Sequence, residues 1–173
     1  DHSNPVIAME MIFDAGAAND PTDKEGLANL LASTLDEGAG ELSSTDFQSA
    51  LSEKSISLYF RAGTDRFRGI VSTLTANSDT AFEMVRLALH QPRFEAAAVD
   101  RIRAQIMAKI RSDTQQPQSR AWWLWLQELF PSHPYGRPRD GTLESVARID
   151  SDDLRRFAKA GLSRQGLSIG VVG

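Results

Sequence analysis

The sequence predicts an α+β domain in which helices pack on one face of a largely antiparallel sheet. Three observations lead there. From Val6 to Ala15 the odd positions Ile7, Met9, Met11, Phe13 and Ala15 are apolar while Glu10 and Asp14 fall on the other side, the period of a half-buried strand. A second alternating run, in which Ile56, Leu58, Phe60 and Ala62 interleave with Ser57, Tyr59 and Arg61, turns through Gly63-Thr64-Asp65 into a third over 66–74, as a hairpin does. From Ser78 onward apolar residues recur at helical spacing until the closing stretch Leu167 to Gly173, which again looks like a strand.

Taken in order, Gly16 ends the first strand. Thr22 and Glu25 then have capping-box spacing for a helix over 23–37, with Leu27, Leu30, Leu31 and Leu35 as its buried stripe. After Asp36-Glu37-Gly38-Ala39-Gly40, Ser43 or Ser44 caps a short helix that turns Phe47 and Leu51 inward. The hairpin follows. Helices are then predicted over 78–90, 95–112, 117–130, 142–148 and 150–160. The second of these repeats Val99, Ile102, Ile106 and Ile110 on one face. With no internal repeat and no low-complexity linker, residues 1–173 form a single domain.

Composition narrows the function classes. The 173 residues are 41% hydrophobic and 24% charged, with a net charge of -4 and the two signs interleaved, which argues against nucleic acid as the main partner. There is no cysteine, so a thiolate metal site, a disulfide framework and a cysteine nucleophile are all excluded. No apolar run approaches the roughly 18–20 residues that span a bilayer, and the opening residues, His2 among them, lack the pattern of a signal peptide. The absence of an initiator Met and the ending on Gly173 suggest part of a longer protein.

Direct signals of catalysis are weak. His2, His90 and His133 sit at no metal-binding spacing and fit a terminus, a helix end and a loop. No serine lies in a G-x-S-x-G elbow, and neither a phosphate loop nor a G-x-G-x-x-G is present. The glycines at 38 and 40 fit a helix-ending turn. The pairs Asp20/Asp23 and Asp152/Asp153 fall at helix starts, where carboxylates cap and complement the dipole. In the run 121–130, Trp122, Trp125, Leu126 and Leu129 share one helical stripe expected in the core, while Trp123 points elsewhere and could reach a partner.

Four stretches together carry a resemblance: residues 11–40, 91–110, 133–157 and 168–173. In this order they resemble the pitrilysin/insulinase family of zinc metallopeptidases, specifically the first of two domains in a subunit of its bacterial and mitochondrial-processing-peptidase branch, with the earliest strand missing. Active members place H-x-x-E-H on the first helix and a third ligand, Glu, about 75 residues downstream. The two His, four residues apart on one helical face, bind zinc, and the Glu between them activates the metal-bound water. Here Gly26, Leu27, Ala28, Leu31 and Gly38 match, but Asn29 and Ser33 stand at the His positions, Ala32 at the base and Lys109 at the third ligand. An ammonium repels a metal cation, and the amide and hydroxyl are weak ligands for zinc.

The resemblance therefore implies no catalytic residue and no metal ligand in this chain. It implies a pseudo-peptidase domain, in which Asn29 and Ser33 line an emptied pocket and bond to Lys109. Zinc is supplied by a homologous partner subunit, and this chain closes the chamber and helps hold peptide substrates. The strand that receives substrate in the active domain corresponds to Tyr59, Phe60 and Arg61, where the family's Asn-Ala-aromatic pattern is absent. The alternatives are part of a zinc-dependent endopeptidase whose ligands lie elsewhere, and a purely structural core subunit like those of a respiratory complex. The periplasm is the compartment that bacterial relatives suggest, with the cytoplasm the other choice.

Overall fold

The alternating run at the start becomes β1 (Val6–Phe13), the central member of a sheet ordered β2-β3-β1-β4 with β2 (Ser57–Ala62), β3 (Phe67–Leu74) and β4 (Ser168–Val172). All three pairings are antiparallel. The computed structural model describes residues 5–173, so His2 and the opening residues before Pro5 lie outside it. Register places Phe13 opposite Phe67 and Phe60 opposite Gly69, so alternation sends Met11, Phe13, Leu58, Phe60, Phe67 and Val71 to one face. Helices cover that face. The opposite face, carrying Glu10, Tyr59, Arg61 and Arg68, has no helical layer, a state that antiparallel sheets tolerate.

The helical layer comprises α1 (Leu27–Ala32), α2 (Ser44–Glu53), α3 (Ser78–His90), α4 (Ala96–Gln115), α5 (Pro117–Leu129), α6 (Leu143–Arg148) and α7 (Ser151–Gly161), with 3-10 turns at Ala17–Asn19, Thr75–Asn77 and Pro134–Gly136. None of the described helices is long and apolar enough to cross a membrane. Leu30, Leu31, Leu35, Phe47 and Phe67 are fully buried between the layers. Each such side chain contributes about 1.5–3 kcal/mol. Val99, Ile102, Ile106 and Ile110 form the buried stripe of α4, which runs three residues beyond its predicted end. Ser43 caps α2 by accepting from the Asp46 N–H, and Asp150 and Asp153 close a reciprocal box at the start of α7.

Two expectations are corrected. The helix predicted over 23–37 is only six residues long, because Gly26 enters it in the left-handed region (φ 93°) and Thr34 ends it. The Thr34 hydroxyl donates back to the Leu30 and Leu31 carbonyls, at 2.8 and 3.1 Å, and the chain leaves through tight turns. The Trp stripe of α5 is not core. Trp122 is 59% exposed, Trp125 51% and Leu129 51%, while Trp123 and Leu126 are half-buried. Periodicity correctly marked an apolar stripe, but α5 packs mainly on α4 and the 134–136 turn, which leaves that stripe largely exposed.

Candidate functional site

The resemblance centres on α1, and the way α1 is held explains the geometry around it. The predicted Thr22/Glu25 box does not form. Instead Asp20, six residues upstream, accepts from the Gly26 N–H at 2.8 Å and the Ala28 N–H at 2.9 Å, so one carboxylate satisfies two of the first free donors of the helix. Burial pushes the Asp20 carboxyl up to about 7, against the pull of those N–H groups and of Arg137. Arg137 donates to the Asp20 carbonyl at 2.9 Å, and Ser145 donates to the Glu25 carbonyl at 2.8 Å. These two bonds draw the 137–145 segment onto the start of α1. Gly141, at φ 83°, sits so close that a Cβ there would lie 2.2 Å from the Glu25 carbonyl oxygen.

On α1, Asn29 and Ser33 share a half-buried stripe, while Ala32 is buried among core residues. The Ser33 hydroxyl donates to the Asn29 carbonyl at 3.0 Å. Lys109 bonds to neither. Its ammonium donates to Asp113 and Asp140, each at 2.7 Å, and Asp140 also accepts from Arg139 at 3.2 Å. The expected Asn29/Ser33 partnership with Lys109 is thus replaced by a charge cluster, because an ionised carboxylate is a far stronger acceptor for an ammonium than an amide or hydroxyl oxygen. Asp113 lies one turn along α4, and the 137–145 segment delivers Asp140. The two bonds raise the Lys109 pKa; burial pushes the Asp140 carboxyl up, but its bonds to Lys109 and Arg139 and their charges together bring it below the ordinary value.

Lys109 lies in a groove of about 1410 Å³ between α4, α5 and the 134–144 segment, walled by Trp122, Trp123, Trp125 and Leu126 and edged by Tyr135 and Arg139. Neither Asn29, Ala32 nor Ser33 lines this groove. The Trp122 and Trp125 rings lie 4.8 Å apart. Tyr135 donates to both oxygens of Asp65, at 2.9 Å each. On the hairpin, β2 is an edge strand. Tyr59 and Arg61 face outward, but Phe60 is 7% exposed and packs against Phe67 with centroids 6.2 Å apart. Only its backbone remains for a peptide.

The sequence model of the insulinase family (peptidase family M16) matches residues 1–142. The chain belongs to this family. The non-peptidase homolog YmxG of Helicobacter pylori is 30% identical over 159 residues, which cover 91% of this chain and 37% of that protein. A peptidase M16 inactive domain from Pseudomonas fluorescens superposes with a TM-score of 0.95 at 23% identity, over 100% of this chain and 42% of that one. Pitrilysin superposes at 0.84 and 16% identity, covering 100% of this chain and 19% of its own. The α+β architecture is therefore the insulinase-family fold, and this chain spans less than half the length of each of these proteins.

Zinc is the metal the family implies. The residues at the matching positions do not fit it: the amide of Asn29, a Ser33 hydroxyl that donates to the Asn29 backbone carbonyl, a buried methyl, and an ammonium already held by two carboxylates. Among the described residues, no group of three or more His, Cys, Asp or Glu could hold a metal ion. Sequence reasoning missed the groove. Its only local signal was the density of tryptophan in 121–130, because Asp140 and Tyr135 come from a segment whose path periodicity does not report.

Proposed function

We propose that this chain is a non-catalytic insulinase-family domain that closes a chamber against a homologous zinc-bearing subunit and helps hold peptide there. The observation that carries this is the state of the four positions where active members keep their chemistry. Asn29, Ala32 and Ser33 offer no general base and no imidazole, and Lys109 is itself a cation at the position of the third ligand. The non-peptidase naming of the Helicobacter relative and the inactive naming of the Pseudomonas domain support the same reading.

The partner half of the proposal rests on α5. An exposed Trp122, Leu124, Trp125 and Leu129 on one short helix is more apolar surface than a free domain ordinarily leaves to water. Peptide handling is assigned to the free edge of β2, at Tyr59 and Arg61 and the Phe60 backbone.

The test measures hydrolysis of a quenched fluorescent peptide by this chain alone, by a homologue with intact H-x-x-E-H alone, and by the two mixed. Activity is expected only where the homologue is present and is expected to rise in the mixture. Metal-dependent hydrolysis by this chain alone would overturn the proposal in favour of an endopeptidase. An unchanged rate on mixing would leave only a structural role.

A further inference from the structure

The uncovered sheet face carries an arrangement that the fold does not need. In the β2/β3 register Arg61 stands directly opposite Arg68, and alternation puts both on the outer face. Such directly opposed side chains have Cβ atoms about 4.5–5.5 Å apart, and like charges there are destabilising. Arg66 follows from the turn and Arg139 reaches over from the 137–145 segment, so that all four arginines line one cleft of about 450 Å³. With Asp65 in the same lining, the cleft gathers four guanidinium groups and one carboxylate.

Most of these charges have partners. Arg66 pairs with Asp14, Arg68 with Glu10 at 3.5 Å and Arg139 with Asp140 at 3.2 Å. The fifth charged member, Asp65, is taken by the Tyr135 hydroxyl. Arg61 has no carboxylate partner among the described residues; its guanidinium lies 5.2 Å from the centre of the Tyr59 ring. The free arginine is also the one that sits on the edge strand of the sheet.

We propose that the β2 edge selects an acidic peptide segment, which adds to the sheet as a strand and places a carboxylate on Arg61 and Arg68, with a second, two residues along, in the cleft toward Arg66 and Arg139. This rests on the assignment of β2 as the peptide-holding edge and adds the class of peptide it holds. Period-two alternation sets the spacing, since only every second residue of the added strand faces the arginines. A guanidinium receives a carboxylate through paired N–H donors, which relieves the Arg61/Arg68 repulsion in the bound state. Arg61 and Arg68 are spread across the strands, with Arg66 and Arg139 further on, and this disposition together with a free backbone edge fits side chains along a strand better than one compact anion.

The experiment uses a fluorescein-labelled decapeptide alternating Val and Glu, read by anisotropy at low salt. A Gln-for-Glu version and a version N-methylated on alternate backbone amides serve as comparisons. The Glu peptide is expected to bind at least tenfold more tightly than the Gln peptide, with most of that difference lost in Arg61→Ala, partly restored in Arg61→Lys, and eroded by salt. Arg61 is exposed and stands opposite Arg68, so Arg61→Ala should melt no lower than the parent. Equal affinity for the Glu and Gln peptides would overturn the acidic selection while leaving strand addition at β2 standing. Undiminished binding of the N-methylated Glu peptide would overturn strand addition itself, and no binding of either the Glu or the Gln peptide would overturn both.

Discussion

Asp20 shows how one side chain sets the position of the region that the family uses for chemistry. It is 4% exposed and bonded to two backbone N–H groups at the start of α1. Asp20→Ala leaves both donors without a partner and should cost about 2 kcal/mol, measured by urea unfolding. The carboxyl is raised to about 7 in the folded state from 3.8. The folded protein thus holds this proton where the unfolded chain releases it, so stability falls as pH rises from about 4 to about 7 and then levels. The slope is at most about 1.4 kcal/mol per pH unit. Asp36, raised by burial to about 6, adds to the lower part of that window. Asp20→Asn should flatten the melting-temperature profile between pH 6 and 7.5; an unchanged slope would show that Asp20 is not its source. Asp20 was recognisable in the sequence as a helix-start carboxylate, but its exact donors were not. A local motif, Thr22 with Glu25, suggested a nearer cap, and the turn around Asp23 at φ 77° allowed the more distant one.

At the scale of elements, α4 and α5 form a pair with opposite fates. Ile102, Ile106 and Ile110 of α4 are buried, whereas no residue of α5 is. Both stripes looked alike in the sequence, because periodicity says which side of a helix is apolar and nothing about what lies against it. The hairpin was legible for the opposite reason: in a sheet the alternation itself assigns the faces, so Phe60 inward and Tyr59 outward follow from the pattern. Trp122→Ser with Trp125→Ser should therefore change stability by no more than about 0.5 kcal/mol each, while Leu31→Ala, at a fully buried position, should cost about 2–5 kcal/mol. Thermal and urea unfolding of the three variants checks the contrast. The same Trp pair of changes should weaken association with the zinc-bearing homologue. A large loss of stability on the Trp changes would mean that α5 is held by its tryptophans rather than presenting them.

For the whole molecule, the architecture is a single helical layer on one face of a four-stranded sheet, with the long groove at one side and the arginine-lined edge on the bare face. Family and fold could be read from the sequence because Gly26, Leu27, Ala28, Leu31 and Gly38 keep the family's pattern of glycine and apolar residues around α1. The ion cluster could not, because Lys109 meets Asp140 across 31 residues of chain through a segment tied down by Arg137 and Ser145. The central claim is that the family scaffold persists here without its metal. It is tested most directly by measuring zinc per chain after incubation with excess zinc and gel filtration. The variant carrying both Asn29→His and Ser33→His, which restores two ligands four residues apart on α1, is measured beside it. The account predicts a ratio near zero for the natural chain and a measurable gain in the double variant. A ratio near one for the natural chain would contradict it.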